Sequence, residues 1–518
     1  MSFGTSFALT TRPTVMGRHG AIVAGHQLAA QAGLAILRAG GNAVDAAIAA
    51  AAALAVLKPD ACGLGSDLFL LRAGPRGELD ALNASGPAPA LAELQKFGRE
   101  IEPHGLRAAS VPGAVSGWDK AVERFGKLSL AAVLAPAIEL ATRGIPVSSF
   151  FAATLEKNEP LLRRFPATHA TFHPQGRPPR AGEVLVQTDL GQTLEAIASG
   201  GARAFYAGAF AAALDRASRD DGALLRKEDL EGYESEWLEP LRGSYHGFEL
   251  VGQPPVSVGA AVLEAMQILE RLPIGETDDC SAEFIHLQVE SMKAAMRDVR
   301  ATLGDPRFVA ADATALLEPR IAEERAASLF ARAGTDTSYV AAIDAEGNAV
   351  SLLQSVFHVW GSAVVVPRTG VLMNNRMTGF SLDPGSPNVL EPRKRPLNTL
   401  NPLIVRRDGK TLLCLGTPGG PSQTYTNAIL LLRILDRGID LQRAVDEPRW
   451  FVTPQGKLHI ESSIAAGVRE ELALRGHDVV AFPPHSAAMG GAGVVRLNAD
   501  GVREAAADPR RETYALAY

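Results

Sequence analysis

The stretch TDTSYVAAIDAEGNAVSLLQS, Thr335 to Ser355, decides how the rest of the chain is read. Tyr339 to Ile343 is apolar and β-prone. Asp344 to Asn348 supplies turn residues, with Gly347 and Asn348 both able to take positive φ. Ala349 to Leu353 is the return strand. These bounds predict a β-hairpin centred near Glu346, which sets Thr337 and Ser355 nearly opposite each other. Two hydroxyls then share the open end of one hairpin.

Before the hairpin the chain reads as helix-rich. Ala21 to Val23 is a short strand, and His26 to Leu37 has helical apolar spacing that stops at Gly40-Gly41. Asn42 caps a second helix, Ala43 to Leu57, ended by Pro59. A glycine turn from Cys62 leads into a buried strand through Leu71, without a GxGxxG or a ribose-binding acid. Helices follow from Val111-Pro112-Gly113 towards Phe125, at Leu128 to Arg143, Leu190 to Ala198, Ala209 to Ser218, Val258 to Leu272 and Ala282 to Leu303. Asn158 to Gly182, rich in Pro, Arg and His, reads as an irregular excursion, and Tyr245 to Val251 as one strand. The polar stretch after Pro306 is a surface helix plus linker that delivers the chain to the hairpin.

After Thr337 the texture changes to short strands: Gly370 to Met373, Leu403 to Arg406, Thr411 to Leu415, Leu458 to Ile460, Val479 to Ala481 and Gly493 to Leu497. One long helix, Asn427 to Leu435, interrupts them. Helix-rich followed by strand-rich sequence is an α+β arrangement of sheets covered by helices.

Composition narrows the function classes. A chain of 518 residues, 47% hydrophobic and 21% charged, is a globular protein with a large core. A net charge of −6 and no Lys/Arg run give nucleic acid no purchase. Cys62, Cys280 and Cys414 suggest buried thiols, neither a disulfide framework nor a CxxC metal site. Met1 to His19 lacks the apolar core of a secretory signal, and the longest apolar run, Ala46 to Leu57, falls short of the roughly 20 residues of a span. A soluble, cytoplasmic protein without membrane or nucleic-acid partners is the expectation.

A hydroxyl is a poor nucleophile without a base beside it. Gly113-Ala114-Val115-Ser116-Gly117 places its serine one residue late for a nucleophile elbow and lacks the preceding strand. No HExxH occurs, and the 11 His residues show no metal-ligand spacing, so no metal or cofactor is expected. One route left is an N-terminal Thr, whose own α-amino group, of pKa about 7.7–8.0, is the base. It requires a cut in the chain; from spacing alone, a Thr at a strand start is usually structural.

Along nearly its full length the chain resembles the γ-glutamyltransferase family of N-terminal nucleophile hydrolases. The matching pieces include Leu37-Arg38-Ala39-Gly40-Gly41-Asn42-Ala43-Val44-Asp45, Val111-Pro112-Gly113-Ala114-Val115, Gly304-Asp305-Pro306 and Asp344-Ala345-Glu346-Gly347-Asn348-Ala349-Val350-Ser351. Met373-Asn374-Asn375-Arg376-Met377, Lys394-Arg395-Pro396-Leu397, Gly416-Thr417-Pro418-Gly419-Gly420 and Asp508-Pro509-Arg510 continue the order. The resemblance implies a four-layer αββα sandwich and a precursor that cleaves itself between Asp336 and Thr337. It would give a large subunit, residues 1–336, and a small subunit, residues 337–518, intertwined as one unit. Thr337 would attack an amide carbonyl of a small-molecule substrate, with Ser355 hydrogen-bonded to it and Gly419 and Gly420 forming the oxyanion hole. The acyl group would pass to water or an amine. A homo-oligomer is compatible with this reading.

The substrate positions depart from the family. Asn83 to Glu93 lacks the Arg that holds the glutamyl carboxylate. Phe357, Arg376 and Gly379 stand where the family has an Asn, a Gln and an Asp around the α-amino group, and Asn398-Thr399 replaces a Ser pair. A pocket without an acidic residue and with Arg376 suits an anion better than an ammonium. The expected acyl group is γ-glutamyl or a related small acid, with oxamate and glutaryl or cephalosporin side chains as the alternative. Arg376 in a surface or subunit-interface salt bridge stands equally open. Tyr339 is expected to narrow the pocket, and His358 and Trp360 either line its mouth or pack in the core. A reading from another class is an uncleaved protein that only binds a small acid.

Overall fold

The computed structural model describes residues 10–326 and 337–518. Two seven-stranded antiparallel sheets lie face to face, and helices cover the outer face of each, giving the expected four-layer αββα sandwich. One sheet has the order Tyr514–Ala517, Ala21–Ala24, Ser338–Ile343, Ala349–Ser355, Asp67–Ala73, Leu79–Ala84, Glu236–Leu238. The other runs Val15–Gly17, Arg503–Ala507, Gly493–Leu497, Lys410–Gly416, Leu403–Arg407, Phe248–Gly252, Leu241–Tyr245. Both sheets mix strands from before and after residue 336.

The hairpin sits in the middle of the first sheet. Every residue of its two strands is buried, because the sheet is covered on both faces. Successive side chains point to opposite faces. Tyr339, Ala341, Ile343 and Leu353 enter the core between the sheets, while Val340, Ala342, Val350 and Leu352 pack under the helices. This two-sided burial explains why the strands read as continuous apolar runs.

The register runs from Ser338 opposite Gln354 to Ile343 opposite Ala349. One further step sets Thr337 opposite Ser355, as the hairpin centre predicts. Of the two turn residues expected to tolerate positive φ, Gly347 adopts it at +89° and Asn348 does not. Asp344 shapes the turn instead: its Oδ1 accepts from the N–H groups of Glu346 (2.9 Å) and Asn348 (3.0 Å). Its Oδ2 accepts from the Ala43 N–H at 3.0 Å, tying the turn to the helix Ala43–Leu57.

That helix is buried along its whole length and starts with a capping box between Asn42 and Asp45. Its alanines let the helix Gln27–Arg38 approach closely. A Cβ on Gly33 would lie 2.8 Å from the Ala46 carbonyl oxygen and 2.1 Å from Ile22 Cδ1. The second sheet is covered by Gly259–Glu270, Ala282–Thr302 and Ser422–Leu431.

Several sequence expectations need correction. Asn158 to Gly182 is not wholly irregular: the helix Ser149–Leu162 extends into it, and Pro166–Phe172 is a helix with proline in its first turn, where no N–H is needed. Tyr245 to Val251 is not one strand but the middle of a hairpin, bent at His246 and Gly247 with φ of 45° and 79°. Gly370 to Met373 makes only isolated bridges. The helix expected from Asn427 begins at Ser422 and loosens into a π-turn at Leu432–Asp436, and a further helix lies at Ala466–Leu474 among the short strands. After Pro306, the polar stretch holds the expected helix as Pro319–Ala326, preceded by a short 3-10 turn at Ala313–Leu317; residues 327–336, with Asp336, lie outside the described residues. Among the described residues no helix is long and apolar enough to cross a membrane.

Candidate active site

Thr337 stands at the entry of the central strand and is 2% exposed. Its Oγ1 accepts a hydrogen bond from Gln423 Nε2 at 2.9 Å. Gln423 lies in the first turn of the helix Ser422–Leu431 and is held in turn: Asn401 Nδ2 reaches its Oε1 at 3.4 Å, and Asn427 Nδ2 donates to Asn401 Oδ1 at 2.6 Å. Because the amide of Gln423 is the donor, the Thr337 hydroxyl keeps its own proton for another acceptor. Sequence reasoning missed this buried amide relay; its signal is Gln423 and Asn427 one turn apart on the helix, with Asn401 two strands earlier in the chain.

Ser355 closes the return strand opposite, paired in register with Asp67 of the neighbouring strand. Its Oγ accepts from the Phe357 N–H at 2.8 Å, which turns the chain sharply out of the sheet. Phe357 is thereby held at φ +85°, a costly conformation for a bulky side chain.

Gly419 and Gly420 sit just before Gln423 with φ of +129° and +58°. A Cβ on Gly419 would fall 2.1 Å from Ser422 Oγ, so only glycine fits. Their carbonyls are bound by the helix start: Gly419 accepts from the Ser422 N–H at 3.1 Å and Gly420 from the Gln423 N–H at 3.2 Å. Among the described residues neither glycine N–H has a hydrogen-bond partner.

The five predicted substrate-binding residues also cluster. The Arg376 guanidinium lies 4.1 Å from the centre of the Phe357 ring. A Cβ on Gly379 would meet the same ring at 3.7 Å, an ordinary contact. Asn398 donates through Nδ2 to Asp67 Oδ2 at 2.9 Å, and Arg376 Nε pairs with that oxygen at 2.7 Å. Thr399 follows with its Oγ1 buried and without a hydrogen-bond partner among the described residues.

Asp67 overturns the expectation of a pocket without an acid. It heads an apolar strand, its side chain is fully buried, and its other oxygen accepts from the Gly86 N–H at 3.0 Å. The Arg376 salt bridge therefore exists, but it is buried between segments 1–336 and 337–518 rather than at the surface. It engages only one edge of the guanidinium: Arg376 Nη1 and Nη2 are buried with no hydrogen-bond partner among the described residues. Burial pushes the Asp67 carboxyl up, and the Arg376 charge opposes it.

His358 stacks on Phe357 and is pushed down to about 4, first by burial and then by the Arg376 charge, so it is neutral at pH 7. Trp360 is fully buried against Phe172, so it belongs to the core. Tyr339 lines the same cavity as Thr337, while its ring packs between the sheets, beside Gly416 and Gly493, and its hydroxyl lies 2.9 Å from Ser351 Oγ. Thr337 lines a cavity of about 340 Å³, to which Arg376 and Thr399 do not contribute.

One group of side chains among the described residues is arranged for a metal: His286, Glu290 and His477, under the second sheet. No sequence spacing gives it, since His477 is distant in the chain. The two imidazoles hydrogen-bond each other at 2.9 Å, and Lys293 pairs with Glu290 at 2.6 Å.

The chain matches the family model described as Gamma-glutamyltranspeptidase over residues 29–518. It is 36% identical to the glutathione hydrolase-like YwrD proenzyme of Bacillus subtilis, covering 97% of this chain and 99% of the relative. It is also 36% identical to the oxamate amidohydrolase proenzyme of Klebsiella pneumoniae, covering 96% and 98%. Among solved structures, cephalosporin acylase from Bacillus halodurans superposes with a TM-score of 0.94 at 33% identity, covering 100% of this chain and 99% of that one.

Proposed function

The chain belongs to the gamma-glutamyltranspeptidase family, as an amide hydrolase or transferase of it, and we propose that it is a self-cleaving enzyme whose nucleophile is Thr337. The observation that carries this reading is the grouping at the hairpin mouth. The Thr337 hydroxyl is bound by Gln423, and two glycine N–H groups without partners among the described residues lie three and four residues before that amide.

Cutting the bond between Asp336 and Thr337 frees an α-amino group on the residue that bears the hydroxyl. With a pKa of about 7.7–8.0 it takes the hydroxyl proton as Oγ1 attacks the amide carbonyl. The carbonyl oxygen becomes an oxyanion and is received by the N–H groups of Gly419 and Gly420. Such donors are worth about 3–4 kcal/mol each, because they act where charge develops. Collapse expels the amine, which takes the proton, and leaves the acyl group on Thr337. Water or a second amine then removes it. Gln423 keeps Oγ1 aimed, and Ser355 shapes the turn that brings Phe357 to the site. The segments 1–336 and 337–518 stay joined through the shared sheets.

The acyl group we favour is a small acid without an α-amino group. The two nitrogens of Arg376 without a hydrogen-bond partner among the described residues form a fork matched to a carboxylate. Asp67 is no substitute for the family's amino-binding acid, since both of its oxygens are already engaged by Gly86, Asn398 and Arg376. The names of the oxamate amidohydrolase and cephalosporin acylase relatives agree with such a substrate. Turnover of oxamate, glutaryl-p-nitroanilide and γ-glutamyl-p-nitroanilide tests it. The proposal expects an amino-free acid to equal or exceed the γ-glutamyl compound in kcat/KM. A strong preference for γ-glutamyl would overturn it.

A further inference from the structure

We propose that His286, Glu290 and His477 bind one first-row transition-metal cation, zinc above all, which ties segment 1–336 to segment 337–518. The inference does not depend on the nucleophile. The three residues belong to the layer under the second sheet, and none of them lines the cavity at Thr337.

His286 and Glu290 stand four residues apart on the helix Ala282–Thr302, so they share one face of it. His477 comes from the other segment. The helix Ala466–Leu474 closes through Gly476, which takes the left-handed conformation at φ +91°. The Gly476 N–H donates to the Ala473 carbonyl at 3.0 Å and the His477 N–H to the Leu472 carbonyl at 3.1 Å, which is a Schellman closure. The strand Asp478–Phe482 begins at the next residue, paired with Lys457–Glu461. The backbone of His477 is therefore fixed on both sides. Ile285, Val289 and Leu472 belong to one buried core, so the two helices meet where the three side chains do.

One ligand atom from each of the three lies within 4.8 Å of the other two. His286 Nδ1 and His477 Nε2 are 2.9 Å apart, and His477 Nδ1 is 3.8 Å from Glu290 Oε1. Lys293 holds that oxygen at 2.6 Å. The other oxygen, Glu290 Oε2, is buried with no hydrogen-bond partner among the described residues, on a side chain 2% exposed. A buried carboxylate oxygen left in this way is costly and calls for a positive partner. Two imidazoles and one carboxylate oxygen make a zinc donor set, whereas calcium and magnesium take oxygen ligands. Zinc–ligand bonds of about 2.0–2.2 Å set neighbouring ligand atoms roughly 3.3 Å apart. The widest pair therefore closes by at most about 1.5 Å, within reach of a rotation of the Glu290 carboxylate. The proton between the two rings moves to the far nitrogen of its own ring, and both rings bind as neutral imidazoles. Half-buried His286 leaves the fourth position to water. Lys293 keeps Oε1, which makes Glu290 a one-oxygen ligand, and its charge holds the affinity to the micromolar range. A second pair four residues apart, His169 and His173, stacks at 4.7 Å but has no third ligand within reach among the described residues.

Zinc binding to the purified full-length protein, stripped with EDTA and then freed of the chelator, tests the site by calorimetry. Wild type should take up one zinc per chain, and zinc should raise its thermal unfolding midpoint by a few degrees. Glu290→Gln keeps the size of the side chain and the contact between the rings, and His286→Ala changes a half-buried helix position. Each should lose both the binding and the shift, with circular dichroism in EDTA checking that it is folded. His169→Ala should keep both. Wild type that takes up no zinc overturns the site. So does uptake that survives Glu290→Gln and His286→Ala, or uptake that disappears in His169→Ala.

Discussion

Arg510 and Arg376 are both guanidinium groups with side chains wholly shielded from solvent, and the protein treats them differently. Around Arg510, Nε and Nη2 bind Glu461 at 2.9 and 2.6 Å. Its Nη1 donates to the Val445 carbonyl at 2.8 Å and to Asp508 at 3.2 Å, and Nη2 also meets the Glu447 carbonyl at 3.0 Å. Every nitrogen is satisfied, which makes this network a clamp between the C-terminal loop and the helix Leu441–Asp446. Arg376 has one carboxylate on its Nε and, among the described residues, no hydrogen-bond partner on the other two nitrogens. A buried donor without a partner costs about 1–3 kcal/mol, more when charged. That cost falls beside a second one, the positive φ of Phe357, and beside the unpartnered Thr399 hydroxyl. On the proposed reading, these unmet demands, collected at one place, await a ligand, whereas the satisfied network is architecture.

The contrast can be broken by substitution. Arg510→Met leaves the buried Glu461 without its cation and Asp508 with Arg449 alone, so chemical denaturation should show a loss of about 3–5 kcal/mol. Arg376→Met should cost less, about 1–3 kcal/mol, because burial already favours the protonated form of Asp67, which then needs no counter-ion. Its main effect should be a fall of about a hundredfold in kcat/KM for an anionic acyl group, carried by KM. Equal destabilisation by the two substitutions, with turnover spared in the second, would erase the distinction. Thr399→Val is the finest probe. Removing an unpartnered buried hydroxyl at constant shape should leave stability unchanged or raise it by about 0.5 kcal/mol, while KM for the anionic substrate rises several-fold. A clear loss of stability would show that the hydroxyl has a structural partner.

Much of this was legible in the sequence because it is local. The hairpin strands, the Asp344 turn and the capped alanine helix are written in consecutive residues, and the register placed Thr337 opposite Ser355 without any structure. What was not legible depends on residues far apart. Asp67 lies hundreds of positions from Arg376 and Asn398, and nothing in DLFLLRA announces a carboxylate partner. Gln423, held by Asn401, reaches Thr337 only because the second sheet delivers a helix start to the first. Strands such as Arg503–Ala507, REAAA, carry little β-propensity and form because the sheet edge is there to receive them.

The central claim is that the chain makes its own nucleophile at Thr337, and intact-mass analysis of the purified wild-type protein and Thr337→Ala, run beside an amide-turnover assay, tests it most directly. The wild type should give two fragments, the smaller beginning at Thr337, while Thr337→Ala stays one full-length species with no turnover. A wild type that turns over amides uncut, or a Thr337→Ala protein that is cut and active, would contradict it.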